Sequence, residues 1–283
     1  MRAIAAAAVT LLLVIIFNFS DSSLTRVCKV FEKNAKHEFH PLRRCQRSNK
    51  TVIAFTDVED VEQCAAFARH SKALAFNFSP KSRRDSNLFV NETKKEEESD
   101  FYSCECLACP EYQNYSTVIN DTRFDYYSLY TYPAPFENAT CIESLGMFLF
   151  FSEKKNYTAA AATCKTINGQ LAHITTERRT NELSKLLQNS VQSSNDSVEA
   201  FVGLNETTRG KFITSNAEPL ECFDYRAFSQ GHPSVIRKQP SCVVITQRSS
   251  WKVVSCTKKF NFICELFTSG PNPCVNNLKE SVL

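Results

Sequence analysis

Only six of the 283 residues are glycine, one is tryptophan, two are methionine and five are histidine. So little glycine leaves scant backbone for a phosphate-cradling loop, and no such motif is present. There is no Gly-x-Ser-x-Gly elbow, and none of the scattered histidines stands beside a nucleophile in sequence. No catalytic constellation assembles from these residues, so the expectation is a protein that is not an enzyme. The net charge of +3 is too small to argue for nucleic acid or an anionic membrane as partner. After the first residues no apolar run reaches membrane-spanning length. The polar stretch 269–283 lacks the hydrophobic tail of a GPI signal, so no membrane anchor is expected.

What the chain does have is cysteine and glycosylation sequons. Arg2 followed by the uncharged apolar run Ala3 to Phe17, then Ser20, Ser22 and Ser23, reads as a secretory signal peptide over 1–23. The run is short for a membrane span, which favours cleavage over an uncleaved anchor. All 13 cysteines follow it, as a disulfide framework in a secreted chain requires. Asn-x-Ser/Thr sequons stand at Asn49, Asn77, Asn91, Asn114, Asn120, Asn138, Asn156, Asn195 and Asn205. The expectation is a secreted, extracellular, disulfide-bonded glycoprotein of two modest domains, with about 260 residues after the leader.

The first module is placed at 24–110 and holds Cys28, Cys45, Cys64, Cys104, Cys106 and Cys109. Thr56 and Glu59 have capping-box spacing, and Val58, Val61, Cys64, Ala65 and Ala68 fall on one helical face over 56–70. Ala73 to Phe78 then suits a strand. Asp60-Val61-Glu62-Gln63-Cys64 followed by that strand resembles the PAN/apple module, which implies a helix on a sheet and a binding role. The tight cluster Cys104, Cys106, Cys109 departs from that family's pattern, and six cysteines allow 15 connectivities. Cys106-x-x-Cys109 is half of a zinc spacing with no second half, so no metal is assigned.

Residues 111–137 read as an aromatic, strand-like connector, because Phe124, Tyr126, Tyr130 and Tyr132 alternate. Either it adds a strand to one domain or it exposes an aromatic binding surface; half-buried strand aromatics favour the first.

The second module is placed at 138–267, with a polar tail over 268–283. Met147 to Phe151 suits a strand and Asn156 to Asn168 an alanine-rich helix, with Gly169 at its end where a positive φ is wanted. Thr176 is placed to cap a second helix bearing Leu183, Leu186 and Leu187. The closing stretch from Cys242 to Cys264 holds two short apolar strands around Trp251. Asn156-Tyr157, Cys164, Gly169 to Ile174, Phe201-Val202-Gly203-Leu204, Cys242 to Ile245, Trp251, Cys256 and Phe262 to Glu265 succeed one another as in the C-type lectin-like domain. The resemblance covers this whole module. It implies an α+β, disulfide-stapled fold of two helices and small antiparallel sheets, following a PAN/apple-like helix-on-sheet module.

The resemblance also implies two disulfides, Cys164 with Cys264 and Cys242 with Cys256. In the chain-entropy model these loops are worth roughly 4.7 and 3 kcal/mol. Cys141, Cys222 and Cys274 remain. Cys141 and Cys274 are candidates to pair at the two ends of the fold, leaving Cys222 odd; equally, Cys274 is a candidate for a disulfide-linked dimer.

Sugar-binding members of that family hold calcium with a Glu-Pro-Asn or Gln-Pro-Asp triplet, a nearby acidic residue and an Asn-Asp pair after the tryptophan. Here the triplet position falls on His232-Pro233-Ser234, the acidic position near Gln239-Pro240-Ser241, and Trp251 is followed by Lys252 and Val253. Calcium takes six to eight oxygen ligands, and those residue types do not supply them, so no cofactor is expected. The resulting expectation is a calcium-independent, C-type lectin-like recognition or adhesion protein for a glycan or extracellular protein. Its ligand-binding loops would present Arg209, Lys211, Tyr225, Arg226, His232, Arg237, Lys238 and Trp251. The alternatives are a structural extracellular-matrix glycoprotein and a calcium-dependent lectin with a divergent site.

Overall fold

A computed structural model describes residues 38–83, 102–112, 114–131, 138–190, 198–234 and 240–268. The expected leader, Cys28, Asn91, Asn195, Arg237, Lys238, Cys274 and residues 269–283 lie outside the described residues.

The N-terminal unit comprises β1 (His40–Arg43), β2 (Gln46–Ser48), β3 (Val52–Thr56), α1 (Val61–His70), β4 (Ala75–Phe78), β5 (Cys104–Leu107), β6 (Val118–Asn120) and β7 (Asp125–Ser128). Five strands form one antiparallel sheet in the order β1-β7-β4-β5-β3, and β2 pairs with β6 beside it. Helix α1 starts later than the capping-box spacing indicates. Asp60, not Thr56, is its N-cap, accepting from the Gln63 N–H at 2.8 Å. Thr56 ends β3, while Asp57 and Val58 are occupied in hydrogen bonds with Ser103, so the chain is held extended there. The small side chains of Cys64 and Ala68 are buried against the sheet, and Cys64 is bonded to Cys104 of β5. This bridge ties the helix to the interior of the sheet.

The aromatic stretch between 111 and 137 contributes a strand to the first sheet, the first of the two alternatives its alternation offers. Strand β7 lies between β1 and β4, inside the first sheet, so that sheet extends past residue 110. Phe124 and Tyr126 are buried and Tyr127 stacks on Phe76 at 4.8 Å between centroids. Tyr126 and Tyr127 are adjacent in the strand and so project to opposite faces, which packs β7 on both. Tyr132 lies outside the described residues.

One sequon is contradicted by burial. Asn77 is fully buried in β4; its Oδ1 accepts from the Ser48 N–H, and its Nδ2 donates to Ser48 O and to Glu105 Oε2. Glu105 is held in turn by a two-pronged contact from Arg47 at 2.7 and 2.8 Å. An amide enclosed this way cannot carry a glycan in the folded chain, whereas Asn49, Asn114, Asn120, Asn138 and Asn156 are exposed and Asn205 is half-buried. Asn77→Ala takes the side-chain partners from the buried Ser48 N–H and C=O, so a stability loss of about 1–3 kcal/mol is expected in thermal unfolding. Peptide mass spectrometry of the native protein is expected to find Asn77 unmodified.

The C-terminal unit comprises β8 (Thr140–Ile142), β9 (Gly146–Lys155), α2 (Tyr157–Thr166), β10 (Gly169–Leu171), α3 (Glu177–Asn189), β11 (Glu199–Thr208), β12 (Lys211–Thr214), a single 3₁₀ turn (Leu220–Cys222), β13 (Ser241–Thr246), β14 (Trp251–Ser255) and β15 (Phe260–Leu266). Its sheet runs β14-β13-β11-β15-β9-β8, with β10 on β15 and β12 on β11. Only β11 and β15 pair in parallel. Asn156 and Thr176 cap α2 and α3 with side-chain oxygens, accepting from Ala159 N and Arg179 N. The left-handed residue after α2 is Asn168 at φ 57°, not Gly169. Glycine is needed at 169 for another reason: a Cβ there would stand 2.6 Å from the Glu265 carbonyl oxygen.

Cys164–Cys264 and Cys242–Cys256 are both formed. Cys141, however, pairs with Cys109 of the N-terminal unit instead of Cys274. Strand β8 brings Cys141 beside the residues that follow β5, with the two Cα atoms 6.0 Å apart, inside disulfide reach. Cys222 is not odd; it too is disulfide-bonded. Among the described residues the free thiols are Cys45, exposed, and Cys106, whose thiol is pushed up to about 12 by burial.

The two units share a core. Leu74, Leu129 and Tyr130 of the first pack with Ala139, Met147, Leu149 and Leu266 of the second. The Tyr130 hydroxyl accepts the Met147 N–H at 3.0 Å, and Gly146, at φ 138°, leaves room for that hydroxyl where a Cβ would come within 2.9 Å. Among the described residues no helix is long and apolar enough to cross a membrane.

Candidate ligand-binding site

Between β11 and β13 the chain leaves the sheet and returns, and the described part of this excursion rests on a buried base. Trp251, the first residue of β14, is the base. It is fully buried, its Nε1–H donates to Thr180 Oγ1 of α3 at 3.1 Å, and Tyr225 and Phe228 meet its ring edge-on at 5.5 and 5.2 Å. The excursion is stitched to β14 through the backbone: Trp251 N–H donates to Ala227 O and Ser229 N–H to Trp251 O. Trp251 is therefore a core residue and is not presented to a ligand.

The other sequence-predicted residues are placed differently from one another. Arg209 and Lys211 are exposed on the β11–β12 hairpin, whose Gly210 N–H is held by Glu206 Oε1. Arg226 is exposed, but its guanidinium donates to the carbonyls of Phe223, Tyr225 and Leu220 at 2.6–2.8 Å. Burial among these groups lowers its pKa, with Glu221 and Asp224 opposing the effect. It acts as a clasp that fixes the loop. His232, preceding the cis peptide to Pro233, turns inward, and its Nδ1 accepts the Val253 N–H at 3.0 Å. Tyr225 is half-buried against Trp251, and Arg237 and Lys238 lie outside the described residues.

A groove of about 340 Å³ opens between the hairpin and the loop. Phe212, Leu220 and Phe228 supply its apolar lining, and exposed Gly210, Glu221, Arg226 and Pro233 supply the rest. Sequence reasoning missed Phe212, Leu220, Phe228 and Glu221. Phe212 was marked only by its place on a short alternating strand, and the others had no local signal. Also missed was Glu199, whose carboxylate pairs with the Lys252 ammonium at 2.6 Å across the two strands that flank β13. That pairing fills the position directly after the tryptophan with a neutralised cation.

The order of these landmarks is matched outside the chain. Residues 153–266 fit the family model described as the lectin C-type domain. The C-terminal half carries a C-type lectin domain. Solved structures similar to it include human lithostathine, at 21% identity and a TM-score of 0.41, with 47% of this chain and 98% of that one covered. A mouse scavenger receptor C-type lectin carbohydrate-recognition domain is similar at 17% identity and a TM-score of 0.40, with 48% and 98% covered. C-type lectin domains are recognition modules for carbohydrate or protein.

Proposed function

We propose that this chain is a secreted recognition or adhesion protein whose C-type lectin domain binds a glycan or an extracellular protein without the calcium ion of the family's sugar-binding members. The observation that carries this is the pair of contacts at His232 and Lys252. Calcium wants several anionic oxygens together. Here the imidazole nitrogen is already taken by Val253, and an ammonium, paired with Glu199, stands after the tryptophan. The donors at this place do not fit the ion, so no binding step is routed through one.

The ligand instead meets the groove beside Phe212 and Phe228 and the cationic hairpin of Arg209 and Lys211. Such a surface suits an acidic glycan or an acidic protein segment lying along an apolar trough. The N-terminal unit, with its helix bonded through Cys64–Cys104 to a five-stranded sheet, supports a PAN/apple-like reading of that half. The disulfides and the leader support an extracellular location.

Glycan-array and surface-plasmon measurements with calcium and with EGTA test the proposal. Binding is expected to be unchanged by EGTA and to fall about tenfold, or about 1.4 kcal/mol, in Arg209→Glu/Lys211→Glu. Binding abolished by EGTA would overturn the calcium-free reading. A hairpin variant that binds as the native protein does would move the ligand elsewhere.

A further inference from the structure

Strand β3 is an exposed edge of the N-terminal sheet, and among the described residues of the strand itself there is no device to prevent pairing. Sheet edges present a row of backbone donors and acceptors, and proteins commonly block them with charge, proline, brevity or cover. The outermost strands at the other ends of the two large sheets are blocked. Strand β1 carries Pro41, which cannot donate, and Arg43, whose guanidinium lies 3.8 Å over the Tyr115 ring. The long loop bonds to β14, and β8 is three residues long. Strand β3, Val-Ile-Ala-Phe-Thr, has neither charge nor proline, and its one irregularity lies between Val52 and Ala54 in its pairing with β5. Val52, Ile53 and Phe55 are 38%, 38% and 54% exposed, although each is a large apolar side chain. An edge left apolar and open, where the sheet's opposite edge is blocked, points to a use for it.

The charges at its two ends identify the occupant. Lys50 precedes the strand, its ammonium 4.2 Å above the Tyr112 ring, and exposed Asp57 and Glu59 follow it. We propose that β3 pairs antiparallel with β3 of a second copy of this chain about a two-fold axis at Ala54, joining two five-stranded sheets into one. In that register Ile53 stands opposite Phe55 of the second copy, twice over. The basic start of each strand comes to the acidic end of the other, whereas parallel pairing would bring like ends together. Ala54 faces the helix-side core, so the apolar pair Ile53 and Phe55 lies on the opposite face, where Phe55 already stacks on Tyr102 at 4.1 Å. The contact is isologous, so it closes at a dimer. It involves no cysteine and is independent of the lectin groove.

Sedimentation equilibrium of the full secreted protein tests this, with Asn49→Gln run in parallel so that a glycan at the preceding turn cannot mask the edge. A dimer at micromolar concentration is expected in at least one of the two, running as monomer on a non-reducing gel. Phe55→Lys is expected to raise the dimer Kd about tenfold or more. Lys50→Glu is expected to weaken the dimer, and adding Glu59→Lys to restore it. Hydrogen exchange is expected to slow in residues 52–56 as concentration rises. Monomers in both proteins at about 100 μM, or a dimer indifferent to Phe55→Lys, would overturn the proposal. Phe55 is exposed, so unchanged thermal unfolding of the variant separates lost pairing from lost folding.

Discussion

Trp251→Ala is expected to lower the stability of the C-terminal unit by about 3–5 kcal/mol, the range for emptying a large buried aromatic site. The indole lies among Leu183, Leu187, Val202, Leu204, Val243 and Ile245, and no water reaches it. Its removal also leaves Thr180 Oγ1 with only its bond to the Ile174 carbonyl and takes away the ring on which Tyr225 and Phe228 rest. Those two contacts hold the excursion from 215 to 234 to the sheet. Thermal unfolding is therefore expected to show a lowered midpoint, and exchange of the Ala227 to His232 amides to accelerate before global unfolding. Trp251→Phe keeps most of the ring volume and loses the indole donor, so its cost is expected near the lower end of about 1–3 kcal/mol. Because the indole supports the groove and is not exposed in it, the phenylalanine variant is expected to retain ligand binding per folded molecule. A selective loss of binding with unchanged stability would place Trp251 at the ligand after all.

What could be read from the sequence was mostly local or family-patterned. The N-cap Thr176 announces itself because a single side-chain oxygen satisfies an N–H three residues on, whereas Asn156, read as the first residue of its helix, is in fact its cap. Leu183, Leu186 and Leu187 mark the inner face of α3 by helical spacing, and all three are buried. The pairs Cys164–Cys264 and Cys242–Cys256 followed from the resemblance, not from spacing. Other features depended on residues far apart in sequence. Nothing near Lys252 points to Glu199, and nothing near Asn77 distinguishes its sequon from an exposed one. Its burial follows from Ser48 and Glu105 arriving on neighbouring strands. The Gly169 reading shows how a correct residue can be given a wrong reason: the helix end places its positive φ at Asn168, and the glycine serves the backbone approach of Glu265. Within the candidate site, charged residues were visible and the apolar lining was not. Arginine stands out in a sequence whether it meets a ligand or, like Arg226, fastens three carbonyls of its own loop.

Cys109→Ser/Cys141→Ser is expected to cost about 3.5–4 kcal/mol, from the chain entropy released when a loop of this size is opened. The bond spans 32 residues and joins the two units directly, next to the apolar cluster of Leu74, Leu129, Tyr130, Met147 and Leu266. These two connections act on different states of the protein. The disulfide restricts the unfolded chain, whereas the cluster and the Tyr130–Met147 hydrogen bond stabilise the docked native state. If the shared core alone suffices to couple the units, the double serine variant unfolds at a lower midpoint in one transition. If the disulfide is what couples them, the transition splits in two, and only the C-terminal half keeps the midpoint set by Cys164–Cys264 and Cys242–Cys256. We expect the first outcome, because Tyr130 is only 6% exposed and its hydroxyl is held by the backbone of the other unit. Adding Tyr130→Phe to the serine pair leaves the Met147 N–H unpartnered and is expected to produce the split. Calorimetry resolves the two cases by whether one or two heat-absorption peaks appear. The same scan fixes whether a ligand held on the lectin loops is positioned rigidly relative to the N-terminal sheet, since units that melt together are joined through a shared core.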